Sequence, residues 1–192
     1  VRARSMEIME KAIQLADDLG IRIIQLAGYD VYYEESTPAT KAAFAENLRK
    51  AVDMAAEKGV TLGFETMETD FMNTTWKSMF YVDMVNSPYL GVYPDSGNLT
   101  NAAVTYGTSV LDDLESGRGH IVALHLKETV PGKFREIPFL TGHVDFPAVI
   151  SKAWDLGVRR FVTEMWDVGN PTWKEDIQFA NHTMRTLLDR QH

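Results

Sequence analysis

The feature that most constrains this chain is a phrase it repeats: an amphipathic helix closes on a glycine, and a short apolar or β-branched run follows at once. Residues 15–20 (LADDLG) lead into 21–26 (IRIIQL), 55–59 (AAEKG) into 60–65 (VTLGFE), and 153–157 (AWDLG) into 158–164 (VRRFVTE). Glycine tolerates the left-handed conformation that closes a helix, and runs of this length suit strands. Two more strands fit between, at 90–95 and 121–127. Caps and periodicity give the helices: one from the Thr37-Pro38 start to Lys58, carrying Phe44, Leu48, Ala51 and Ala55 on one face, and others at roughly 75–86, 106–116, 146–156 and 173–190. A further amphipathic helix leads the chain from Val1 to Gly20. Strands alternating with helices imply a parallel sheet covered by helices.

The strand starts at 21, 60, 90, 121 and 160 are on average about 35 residues apart, close to the ~31 of a barrel of ~250 residues. The expected fold class is α/β, a (β/α)8 TIM barrel. Residues 1–192 are expected to form a single domain, the carboxyl-terminal portion of such a barrel covering about its last five βα units, with the three amino-terminal units expected to be missing from this sequence. Three more units would bring the length to ~300 residues. A five-strand piece exposes two sheet edges and an unclosed core, so the chain alone is expected to be poorly stable. An open doubly wound sheet is the rival, but no glycine-rich phosphate loop follows any strand.

Glu65, Asp95, His125 and Glu164 each fall at or near the carboxyl end of a different strand, the end where barrel enzymes build their sites. Strict alternation puts Gly63, Tyr93, Ala123 and Val162 on the same face as these four. Two glutamates, an aspartate and a histidine suit one divalent cation, Zn2+, Mn2+, Co2+ or Mg2+, with room for a chelating substrate. Any one of them alone reads as an ordinary polar strand end; four on consecutive strands read as a metal site. Lys127, two beyond His125, is a candidate for an anionic group or a developing oxyanion, with a solvated strand-end lysine as the alternative. The stretch 128–145 is long for a connector and suits a binding loop, with Lys133 and Arg135 as phosphate candidates. Tyr29, with Tyr32 and Tyr33, either walls the pocket or simply packs. His120, His182 and His192 lie away from the mouth.

Composition closes off other chemistries. There is no cysteine, which removes thiolate nucleophiles and thiolate metal sites. Nineteen Lys and Arg against 27 Asp and Glu give a net charge of −8, which argues against a nucleic-acid partner. No apolar run is long enough for a membrane span, and Glu7, Lys11 and Asp17 interrupt the leading helix, so no membrane partner and a cytoplasmic location are expected.

These residues in their local words, QLAGYD (25–30), FETM (64–67), YPDSGNL (93–99), HLKE (125–128) and TEMW (163–166), resemble the L-ribulose-5-phosphate 3-epimerases of the xylose-isomerase-like barrel superfamily. The resemblance implies Glu65, Asp95, His125 and Glu164 as metal ligands, Glu65 and Glu164 as the acid/base pair, and a role in pentose phosphate metabolism fed by L-ascorbate. The implied reaction is C3 epimerisation of a ketopentose 5-phosphate through a cis-enediolate, with a sugar phosphate as the small-molecule partner and room for a homodimer. A 1,2-aldose–ketose isomerase and a non-catalytic barrel fragment are the alternatives. A DNA-repair endonuclease would need more histidines and a basic groove. Two departures stand out. Leu140 occupies a position where the family usually has glycine. Asn98, an expected substrate contact, stands where the related free-sugar 3-epimerases carry a histidine.

Overall fold

The computed structural model describes residues 2–191; Val1 and His192 lie outside the described residues. The order is α1 (Arg2–Leu19), β1 (Ile23–Ala27), α2 (Pro38–Glu57), β2 (Thr61–Glu65), α3 (Thr75–Val85), β3 (Leu90–Tyr93), α4 (Ser96–Tyr106), α5 (Val110–Ser116), β4 (Leu124–Leu126), α6 (Phe146–Asp155), β5 (Phe161–Thr163) and α7 (Trp173–Asp189). The capping chemistry follows the sequence. Thr37 closes a capping box with Thr40 ahead of Pro38, and Thr74, Asp95, Ser109 and Asp145 each accept from a backbone N–H in the first turn of the following helix.

β1, β2 and β3 pair in parallel, as do β4 and β5, and two parallel bridges join β3 to the β4 segment. The sheet therefore runs β1-β2-β3-β4-β5 in chain order with no reversal, which is an arc of a TIM barrel and not a doubly wound sheet. Its outer face supplies Leu62, Phe64, Val92, Leu124 and Leu126, all buried under the helices in two apolar clusters, one around β1–β3 and one around β4–β5. Small or polar residues line the inner face, and at the edge strands Gln25, Ala27 and Val162 are exposed on it. Among the described residues no helix is long and apolar enough to cross a membrane.

Two expectations about elements need correcting. A helix over 106–116 is not formed: Tyr106 ends α4, Gly107 at φ 63° closes it in the left-handed region, and Ser109 starts α5. The Ser-Gly-Asn start of α4 has the composition of a turn; Asp95, capping the Asn98 N–H, turns that start into a helix. The second correction concerns β4. Val92 opposes Ile121 and Asp95 opposes His125, so three steps on one strand match four on the other. This is a bulge, and the extra residue re-aims His125. Val122, not Ala123, fills the space over the inner-face glycines; a Cβ at Gly63 or Gly91 would come within 2.6 or 2.7 Å of its methyl groups.

Candidate metal centre

Glu65 ends β2, Asp95 lies two residues past β3, His125 is in β4 and Glu164 directly follows β5. One donor atom from each lies within 4.8 Å of the others. His125 Nδ1 is the focus: Glu65 Oε1 and Glu164 Oε2 are each 2.9 Å from it, and Asp95 Oδ2 is 3.8 Å away.

Each carboxylate divides its labour between two oxygens. Glu65 Oε2 accepts from the Gln25 amide. Asp95 Oδ1 accepts from the Asn98 N–H at 2.7 Å and lies 3.2 Å from Lys127 Nζ. Glu164 Oε1 accepts from the Trp166 indole N–H at 3.2 Å. The inner oxygens Asp95 Oδ2 and Glu164 Oε2 are buried without a hydrogen-bond partner; the approach of Glu164 to His125 is close but lies outside hydrogen-bond geometry. Orphaned buried anionic oxygens are costly unless a cation satisfies them, so the donor set fits a divalent metal.

The electrostatics point the same way. Burial pushes the Asp95 carboxyl up to about 7, with Lys127 opposing and Glu164 and Glu65 reinforcing. Burial disfavours protonated His125, but the Glu164 and Glu65 carboxylates outweigh it and hold the imidazole up at about 9. The cluster thus draws positive charge to its centre. Lys127, 5% exposed, supplies part of it, lying 3.8 Å from Glu164 Oε1 as well.

The centre opens into a cavity of about 480 Å³ lined by Gln25, Tyr29, Asn98, Lys127, Arg135 and Trp166, among others. Asn98 is buried; its amide N–H bonds the Thr66 carbonyl at 2.7 Å, and its own Oδ1 is left without a partner. At the rim, Glu68 gathers three loops: it accepts from Tyr29 at 2.6 Å, from Tyr33, and from Arg135 at 2.9 Å. Burial raises the Glu68 carboxyl, but these donors outweigh it and hold the group below its ordinary value. Arg135 also lies 4.7 Å over the Trp166 ring. Lys133 is placed differently from the expectation: it is exposed on the Val130–Lys133 turn and does not line the cavity, because the loop points its side chain outward. A second cavity of about 470 Å³, between α1, β1 and α2, has mostly apolar walls and is lined by none of the four candidate ligands.

The family model for the xylose isomerase-like TIM barrel matches residues 1–183. The chain belongs to the xylose isomerase-like TIM barrel family. Within that family, it is 44% identical over 167 residues to the L-ribulose-5-phosphate 3-epimerase UlaE of Salmonella paratyphi C (strain RKS4594), covering 86% of this chain and 57% of that relative. The chain thus spans little more than half the length of the curated relative. Among solved structures, a D-tagatose 3-epimerase-like protein superposes with a TM-score of 0.83 at 16% identity, covering 99% of this chain and 70% of its own. The IolI protein with a bound zinc atom gives a TM-score of 0.78 at 20% identity, covering 97% and 69%.

Gln25, Glu68 and Trp166 were not among the site residues expected from sequence. A signal existed for Gln25: it is a polar residue inside the otherwise apolar β1. Nothing local marks Glu68, whose partners come from loops distant in sequence.

Proposed function

We propose that the centre binds one divalent cation and epimerises C3 of a ketopentose 5-phosphate, interconverting L-ribulose 5-phosphate and L-xylulose 5-phosphate. The observation that carries this reading is the placement of Glu65 and Glu164. They come from the end of β2 and the residue after β5, with β3 and β4 between them, and each places an oxygen 2.9 Å from His125 Nδ1. A substrate lying over the centre would have one carboxylate near each face, as inversion at a carbon requires. The 44% identity to a protein named L-ribulose-5-phosphate 3-epimerase supports the choice of substrate.

Glu65, Asp95, His125 and Glu164 would hold the cation. When bound, it would supply Lewis-acid stabilisation of the negative charge that develops on the substrate beside these residues. Glu65 and Glu164 then exchange roles with direction, one taking the C3 proton and the other returning a proton to the opposite face. Lys127 Nζ, held against Asp95, offers N–H donors at the edge of the same space. Asn98 Oδ1 is an acceptor for a substrate hydroxyl. Tyr29 walls the cavity, and Arg135 reaches it with its charge already opposed by Glu68, so a phosphate there would compete with that carboxylate. A cytoplasmic place in pentose phosphate metabolism fed by L-ascorbate belongs to the same proposal.

The test is an NMR assay for solvent-deuterium exchange at C3 of L-ribulose 5-phosphate with added Mn2+ or Zn2+. Exchange at C3 is expected. Exchange at C1 instead would identify a 1,2-aldose–ketose isomerase.

A further inference from the structure

We infer that Gln25 and Trp166 are the positioning residues of the two glutamates, each fixing which oxygen of its carboxylate faces the metal. This rests on the reading of Glu65 and Glu164 as ligands that double as acid and base. A glutamate at a strand end has three side-chain torsions and two equivalent oxygens, so strand placement alone does not decide which oxygen turns inward. At Asp95 the core decides it, through the Asn98 N–H and Lys127 Nζ on Oδ1. Among the described residues no backbone N–H bonds either glutamate carboxylate, although Lys127 Nζ also lies 3.8 Å from Glu164 Oε1. Glu65 Oε2 is held instead by the Gln25 amide across the β1–β2 pair, and Glu164 Oε1 by the Trp166 indole two residues along. In both cases the held oxygen is the outer one, and its twin is the one 2.9 Å from His125 Nδ1.

The two holders are themselves anchored. Gln25 sits in register with Gly63, two residues before Glu65 on the same face, so the β1–β2 ladder fixes where its amide starts from. The Trp166 ring is covered by Arg135, which is pinned to Glu68 and Tyr33. Without either N–H, its carboxylate could rotate and place both oxygens near the cation or neither. Outer partners of metal ligands are worth about 10–100-fold in metal affinity.

The test measures Mn2+ dissociation constants by electron paramagnetic resonance for the wild type, Gln25→Met and Trp166→Phe, and for each of these combined with Glu65→Gln and with Glu164→Gln. Gln25→Met keeps the side-chain length and removes the N–H; Trp166→Phe keeps an aromatic face for Arg135 but gives up the pyrrole ring with its N–H. Each single variant is expected to weaken Mn2+ about 10-fold while the metal-free melting temperature stays within about 2 °C. The loss from Gln25→Met should vanish when Glu65 is already glutamine and persist when Glu164 is; Trp166→Phe should show the converse. If the glutamine backgrounds bind no Mn2+, Glu65→Asp and Glu164→Asp replace them. Wild-type affinity in both singles, equal losses in matched and crossed backgrounds, or no Mn2+ binding by the wild type overturns the inference. Failure of the epimerase reading shows separately, as Mn2+-loaded wild type without C3 exchange.

Discussion

At the scale of single residues the centre makes a direct prediction. Glu65→Gln and Glu164→Gln should each lower C3 exchange by about 10²–10⁴-fold, the usual range for a removed general acid or base. Near-normal exchange in both variants would sink the two-carboxylate reading. Leu140 offers a prediction about stability. It sits at φ 66°, where a side chain clashes with its own backbone, and it is 52% exposed, so it gains little from packing. Leu140→Gly, the residue usual in the resembling family, is expected to raise stability by about 0.5–1 kcal/mol, read as a higher melting temperature. The four clustered residues, Glu65, Asp95, His125 and Glu164, were legible as a group because each falls at or near a strand end. Gln25 and Trp166 were not, because their work depends on which oxygen of another residue they meet.

Elements raise different questions. The long loop between β4 and α6 is organised by the buried Glu128 carboxylate, which accepts from the N–H groups of Thr129, Leu140 and Val144 at 3.0–3.1 Å. Glu128→Ala leaves three donors without their acceptor and should cost about 2–4 kcal/mol, since each bond to a charged acceptor matters more than a neutral one. Faster proteolytic cleavage within 130–142 would show it. Between α5 and α6, Glu115 accepts from Arg118 and from Lys152, and these two cations hold its carboxyl down at about 2. A carboxyl whose folded value is depressed stabilises above its unfolded value near ~4.3 and loses that contribution as pH falls. Wild type and Glu115→Gln should therefore differ in stability above about pH 4.5 and converge toward pH 2 in acid-unfolding curves. Periodicity made five of the seven helices legible. It missed the α4–α5 break, where Gly107 and two caps matter more than the apolar pattern.

For the whole molecule, the seam between β3 and β4 is the decisive feature. Two bridges and a bulge join the two apolar clusters, and the candidate metal centre spans that seam, with Glu65 and Asp95 on one side and His125 and Glu164 on the other. A cation held by all four, as proposed, would tie the halves together. Mn2+ at about 100 times its dissociation constant is expected to add about 2.7 kcal/mol of stability, and a chelator to reverse it, as followed by thermal melts.

The alternation of helix, glycine and apolar run determined the parallel arc, and with it the end of the sheet where four ionisable residues gather. Those are local matters: helix closure, strand length and the period of two are written in neighbouring residues. Which oxygen of each carboxylate turns inward, where β4 slips by a residue and which loop residues reach the mouth were decided only in three dimensions. Each depends on a partner from another strand or loop, such as Gln25 for Glu65, Val122 for Gly63 or Glu68 for Arg135. A linear pattern does not encode such pairings, because the energy of each arises only when the sheet brings the partners within bonding distance.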